Sequence, residues 1–226
     1  MLFPKIHHLL KGFTDHHSHV LPGVDDGVKK MEVSLQVLER YEQIGIAEVW
    51  CTPHIMEDIP NTAEKLQERF AELCEAYHGP IKLHLAAEYM MDELFDERLE
   101  QGHLLTLGED GNQLLVETSY FTPPMDMDNV FSRIKRKGLF PVLAHPERYV
   151  YMGKERYEEL KDKEIRFQLN ISSLSGAYGK EAKDKALWLL KKQYYDLAGS
   201  DLHSIRNIEF WNARAPRALR KLLIQK

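Results

Sequence analysis

The chain has 226 residues, a formal net charge of −5, 43% hydrophobic content and two cysteines. That length suits one α/β domain with a real core, and the negative balance argues against a nucleic-acid binder driven by bulk charge. No apolar run approaches the ~18 residues of a membrane span, the two cysteines support no disulfide framework, and Pro4 interrupts the start where a secretory signal would be apolar, so a cytoplasmic protein is expected.

Residues 1–12 read as an N-terminal arm. Phe13–His16 then reads as a short strand leading into Asp-His-His-Ser-His-Val-Leu-Pro-Gly-Val-Asp-Asp-Gly at 15–27. On an extended backbone alternate side chains share a face, so Asp15, His17 and His19 project together while His16 points away. Leu21-Pro22-Gly23 forces a turn, and Asp25 and Asp26 bring oxygen ligands back toward the imidazoles. A polar surface loop is the competing reading, but so many ligand types within a dozen residues are hard to explain by packing.

From Lys29, the spacing of Met31, Leu35, Leu38, Tyr41 and Ile44 predicts a helix ended by Gly45. Ile46–Cys51 reads as a strand stopped by Thr52-Pro53, which leaves His54 just past its end. Asn61 is the expected N-cap of a helix running toward Gly79. The alternation of Ile81, Leu83, Leu85 and Ala87 predicts a strand that delivers Glu88 at its end. A charged helix or turn over 92–100 follows, and then a strand over 113–117 closed by Glu117. The basic run from Arg133 to Lys137 suits the last turn of a helix. Leu139–Ala144 is a strand ending in His145-Pro146-Glu147-Arg148, Ile165–Leu169 is the next, and Tyr194–Ala198 is the last, followed by Asp201-Leu202-His203. Roughly seven strands separated by helices argue for one parallel sheet or barrel, with no repeat or linker to divide the chain.

The chemistry is carried by position. His17, His19, His54, Glu88, Glu117, His145, Asp201 and His203 all fall at or just beyond the C-terminal ends of predicted strands, the edge where α/β barrels build active sites. Mixed imidazole and carboxylate ligands without thiolate point to Mn, Zn or Fe, and so many ligands exceed what one ion takes. This pattern predicts a polynuclear hydrolytic metal site in which metal-lowered water acidity supplies the nucleophile. Neither cysteine has the arginine six positions on that a thiol phosphatase needs, and both read as buried hydrophobes.

The Asp-x-His-x-His at 15–19, Thr-Pro-His at 52–54, His-Pro-Glu-Arg at 145–148 and Asp-x-His at 201–203 resemble the polymerase and histidinol phosphatase (PHP) superfamily. Val-Asp-Asp-Gly at 24–27 and Glu117 look like its capsule and exopolysaccharide tyrosine-phosphatase branch. The resemblance runs from about Phe13 to Arg206, and His16 departs from it at a position usually apolar. It implies a single domain over 1–226, folded as a distorted (β/α)7 barrel with the metal site at the C-terminal strand ends. It also implies three divalent ions, Mn2+ first and Fe or Zn as alternatives. His17, His19, Glu88 and Asp201 would hold one. Glu88 would bridge to a second held by Glu117 and His145, and Asp26, His54 and His203 would hold the third. Arg148 matches the phosphate-gripping arginine, and Arg206 is the nearest match to a second. The implied activity is hydrolysis of phosphotyrosine, with a tyrosine kinase of polysaccharide export as partner and a homo-oligomer compatible with it. A histidinol-phosphate or other small-phosphomonoester phosphatase is the alternative within the superfamily. A non-catalytic metal-stabilised module is the alternative outside enzymes, and a nuclease is disfavoured by the acidic balance.

Tyr149 and Tyr151 are read evenly as substrate-flanking rings or loop packing, and Pro123-Pro124 as a turn. His7, His8, His78, His84 and His103 lack strand-end context and read as surface or supporting residues.

Overall fold

A computed structural model describes residues 10–208. Of the expected N-terminal arm only residues 10–12 fall inside that range, and Leu10 is fully buried.

The strand runs alternate with helices, as the periodicity predicts. They comprise β1 (Phe13–Ser18), β2 (Ile46–Cys51), β3 (His54–Ile55), β4 (Lys82–Leu85), β5 (Glu88–Met90), β6 (Gln113–Glu117), β7 (Phe140–Ala144), β8 (Arg166–Asn170) and β9 (Leu197–Gly199). The helices are α1 (Met31–Ile44), α2 (Ala63–Ala76), α3 (Phe95–Gln101), α4 (Met127–Arg136), α5 (Lys154–Asp162), α6 (Ile171–Ser175) and α7 (Gly179–Lys191). Every ladder is parallel, as helical crossovers require. One sheet has the order β1-β2-β4, the other β3-β5-β6-β7-β8-β9.

Two interrupted runs join these sheets. Pro53 has no N–H to donate, so β2 stops at Cys51, yet the chain resumes as β3 beside β5. The second run breaks at Ala86-Ala87, with β4 paired to β2 and β5 to β6. Glu88 therefore opens a strand rather than ending one, and His54 lies in a strand rather than beyond it. At the far side a bridge between Ser18 and Leu202 brings the end of β1 against the segment after β9, and the Asp201 N–H donates to His17 O at 2.7 Å. The sheet thus curls back on itself.

Period-two alternation divides the strand residues between two cores. Leu114, Val116, Leu143 and Phe167 face the large cluster packed against the helices. Trp50, Ala86, Leu107, Leu115, Val142 and Ala144 form a smaller cluster on the opposite face of the strands. Glu117, two residues beyond Leu115, falls on that second face at the C-terminal edge.

Several local expectations are corrected. Thr62, not Asn61, caps α2, accepting from the Lys65 N–H. The Asn61 amide instead donates to Val24 O and His54 O, both at 2.9 Å, tying two site loops together. β9 starts at Leu197 rather than Tyr194, because Gln193 turns through the left-handed region at φ 58° and Tyr194 packs edge-on against Trp188. Helix α6 was not expected. Asn170 caps it and Gly176 ends it at φ 85°. Cys51 is buried as expected, but Cys74 lies exposed on α2. No helix among the described residues is long and apolar enough to cross a membrane.

Candidate metal centre

The C-terminal edge of the curled sheet gathers nine of the expected residues. Four groups of donor atoms lie within 4.8 Å of one another: His19, Asp26, His54 and His203; His17, His19 and Asp201; His17, Glu88 and His145; and His54, Glu88 and Glu117. Glu88 belongs to two of them. One of its oxygens lies 3.2 Å from His17 Nε2 and 3.1 Å from His54 Nδ1, and the other 3.0 Å from His145 Nε2. His54 Nδ1 is also 3.0 Å from Glu117 Oε1. Asp26 reaches His54 at 3.5 Å and His203 at 3.4 Å, closing the solvent side.

His54 Nδ1, Glu88 Oε2 and Glu117 Oε1 are buried and form no hydrogen bond, although they converge at contact distance. Buried polar atoms without partners are costly, and convergence without hydrogen-bond alignment is how ligand atoms meet around a cation. The donor set fits divalent ions on that ground.

The charges support the same conclusion. Burial opposes ionisation of Glu88, but His17, His54 and a hydrogen bond from His145 hold it well below the usual carboxylate range. Burial likewise opposes Asp201, and His17 and His19 hold it low. Burial pulls the His17 pKa down, yet Glu88 and Asp201 outweigh it and raise it. Burial also pulls the His19 pKa down, but Asp25, Asp201 and Glu88 together raise it well above its ordinary value. His54, opposed by burial and by His19, is still pushed up to about 10 by Glu88 and Glu117. The buried carboxylates therefore require compensating positive charge at the cluster.

Residues around the cluster orient it. His19 Nδ1 donates to Asp25 Oδ2 at 2.8 Å, and Asp25 also accepts the His54 and Gly27 N–H groups. His17 Nδ1 donates to Gln168 Oε1 at 2.9 Å, which also accepts the His145 N–H. Each pairing leaves the Nε2 of its histidine facing the cluster, the usual way a ligating imidazole is fixed. Asp15 joins none of the groups. It is fully buried and accepts from Tyr41 Oη, the Ser200 N–H and the His17 N–H, bracing β1 against the segment after β9. His145 and Asp201 both have left-handed backbones, φ 33° and 50°. Such conformations cost about 1–3 kcal/mol each and persist only where neighbours enforce them.

Arg148 is mostly buried at the rim. Its Nη1 donates to Asp201 Oδ2 at 2.6 Å, so its carboxylate partner is a site residue rather than the adjacent Glu147. Glu147 turns inward, accepting from the Asn170 N–H and Tyr195 Oη. The rings flanking Arg148 are Tyr120 and Tyr178, which sequence reasoning missed. Tyr149 is fully buried and Tyr151 binds Thr118, so both pack the loop. Arg206 is exposed beyond His203 and forms no ion pair with a described residue. In the 133–137 run Arg133 pairs with Asp96 and Asp126, Lys135 with Glu164 and Lys137 with Glu100, as a solvated helix end does. His84 stacks on Trp50 and binds Glu48, away from the cluster. His7 and His8 lie outside the described residues.

A curled parallel α/β sheet with clustered imidazole and carboxylate donors along its C-terminal edge has the arrangement of a metal-binding α/β protein. The sequence model for "Capsular polysaccharide synthesis, CpsB/CapC" matches residues 13–221, and the chain belongs to that family. It is 25% identical over 213 residues to the tyrosine-protein phosphatase YwqE of Bacillus subtilis, covering 92% of this chain and 84% of that protein. To the tyrosine-protein phosphatase CpsB of Streptococcus pneumoniae it is 30% identical over 204 residues, covering 84% and 83%. A solved structure from work on YwqE and CpsB, described as metal-dependent tyrosine phosphatases, superimposes with a TM-score of 0.74 at 23% identity. The match covers 94% of this chain and 92% of that one, and it shows a shared fold.

Proposed function

We propose that this protein is a metal-dependent protein-tyrosine phosphatase that transfers the phosphoryl group of phosphotyrosine to water. The observation that carries the reading is Glu88, a fully buried carboxylate common to two donor groups in a cluster that also supplies five histidines and three further acids. The family membership and the names of the relatives supply the substrate class. The interrupted strand runs are read as seven passes of a distorted (β/α)7 barrel of the PHP type, with residues 1–226 as one unit.

In this reading three divalent ions, Mn2+ first, would occupy the cluster. His17, His19, Glu88 and Asp201 would hold one, Glu88, Glu117 and His145 a second, and Asp26, His54 and His203 the third. His19 also lies with the Asp26 group, and His54 with Glu88 and Glu117. Ions bound there would supply Lewis acidity toward the phosphoryl oxygens and lower the pKa of water toward neutrality.

The protein's own residues do the rest. Asp25 and Gln168 keep the Nε2 atoms of His19 and His17 turned inward. Arg148 offers a planar fork of N–H donors to the non-bridging phosphate oxygens, where charge must be neutralised during transfer. Arg206 is the candidate for a second such contact on its position three residues after His203. Water adds at phosphorus as the P–O bond to the aryl group breaks, one of that water's protons passes to the departing phenolate, and dephosphorylated tyrosine and inorganic phosphate result. Its phenol has a pKa near 10, so it needs less help from a general acid than an alcohol does.

A thiol nucleophile has no support here. Burial pushes the Cys51 pKa up, away from the thiolate form, and Cys74 is exposed on α2, outside the donor groups. The partner is a phosphotyrosine protein, a tyrosine kinase of polysaccharide synthesis or export. The test is a side-by-side assay of Mn-loaded protein on a phosphotyrosine peptide and on histidinol phosphate. Preference for the peptide, loss on chelation, recovery with Mn and survival of Cys51→Ser with Cys74→Ser are expected. Chelator-resistant, thiol-dependent turnover would overturn the reading, and preference for histidinol phosphate would overturn its substrate.

A further inference from the structure

Arg148 is held more firmly than a rim arginine needs to be for an ion pair alone. Its guanidinium carbon lies 4.2 Å from the centre of the Tyr120 ring and 4.1 Å from that of Tyr178. The rings come from separate loops. Tyr120 lies three residues past β6, and Tyr178 immediately precedes α7. Asp201 takes one edge of the guanidinium. The same Asp201 oxygen accepts from Asn170 Nδ2 at 2.8 Å, and that amide also donates to Tyr178 Oη at 3.1 Å. The guanidinium makes no other hydrogen bond with a described residue.

A flexible arginine must be ordered before its fork can grip a planar pair of phosphate oxygens, and that ordering weakens binding unless it is done in advance. Two rings packed against the guanidinium restrict its orientation by cation–π attraction and shape, while leaving unused N–H groups for a ligand. Tyr120 is itself stacked on the fully buried Tyr149, at 6.0 Å and 26°, so one jaw is anchored in the core. Both jaws are half-buried rather than core residues.

We infer that Tyr120 and Tyr178 are positioning residues that clamp the Arg148 guanidinium in the orientation that receives phosphate, an inference that rests on the phosphatase reading above. The ring is what matters at Tyr120, so Tyr120→Phe keeps function and Tyr120→Leu does not. At Tyr178 the hydroxyl also touches Asn170, so Tyr178→Phe is expected to fall between parent and Tyr178→Leu.

The test uses the full Mn-loaded chain with p-nitrophenyl phosphate as substrate and inorganic phosphate as competitive inhibitor. Tyr120→Leu should lower kcat/KM on the order of tenfold and weaken inhibition by phosphate to a similar degree, at unchanged metal content and melting temperature. Combined with Arg148→Ala it should cost nothing further, because the ring acts only through the arginine. Additive losses in the double variant, or Tyr120→Phe as damaging as Tyr120→Leu, would overturn the clamp while leaving the phosphatase reading intact. A parent protein that hydrolyses no aryl phosphate with Mn present would overturn that reading, and the clamp with it. Should Tyr178→Leu fail to fold, the Tyr120 pair alone decides the matter.

Discussion

Glu88 is the residue on which the centre turns, because both its oxygens face imidazoles and neither faces solvent. Glu88→Gln keeps the shape and removes the charge, and a neutral amide is a weaker ligand. Elemental analysis should find fewer ions per chain in that variant, together with lost turnover; full occupancy would show that Glu88 does not join two ions. Arg148 makes a different demand. Arg148→Ala should retain ions and fold yet lose on the order of a hundredfold in kcat/KM, as removal of a donor to developing charge does. Arg148→Lys should restore only part of that, since a point charge does not reproduce the fork. Near-parental rates in Arg148→Ala would leave it merely a brace for Asp201. At this scale much could be read from the chain alone. Histidines and acids at strand ends announce themselves by type and place, and all nine expected donors converge. Asp25 and Asp26 are adjacent and chemically identical, so only the turn of the loop reveals that Asp25 faces His19 while Asp26 faces outward. Gln168 sits uncharged in an apolar strand, and Tyr120 and Tyr178 lie in loops without periodicity, so nothing in the pattern marked them.

At the level of elements, the segment carrying His17 and His19, β1 and the residue just past it, approaches its neighbours so closely that two glycines become obligatory. A Cβ on Gly199 would stand 2.4 Å from His17 Cβ and 2.7 Å from its backbone nitrogen, and one on Gly27 would stand 2.4 Å from His19 Cβ and O. Backbone cannot swing aside as a flexible side chain does. Gly199→Ala should therefore shift β1 against β9, lowering both ion content and melting temperature. Parental values for both would mean that the two strands have slack. The seven runs of strand were evident from alternation and punctuation, but the break within the third was not. Ala86-Ala87 continues an apolar sequence without proline or glycine, and the interruption arises because β4 and β5 pair in different sheets. Helix α6 escaped for the opposite reason. Its five residues are too few for periodicity, and a cap at Asn170 and a stop at Gly176 define it instead.

Across the whole molecule the centre couples stability to pH. His54 is raised from its ordinary 6.5 to about 10, so in the ion-free protein its contribution is complete below pH 6.5 and is lost as pH climbs toward 10. Ions need the imidazoles neutral and bind only the folded state, so they replace the protons rather than add to them. Melting temperatures with and without chelator should diverge as pH rises through that window; a constant gap would show that protons and ions do not exchange at one site. The closure of β1 on the segment after β9 has a further consequence, in time rather than space. The clustered donors run from His17 to His203, and the Asp201 backbone is tied to β1 by its bond to His17 O. A chain still emerging from a ribosome holds the first histidines long before the last acid exists. Contacts this distant in sequence form late. Tight ion uptake is thus an event of the finished fold, and the earliest segment synthesised must wait, its histidines open to stray metals, for nearly the last.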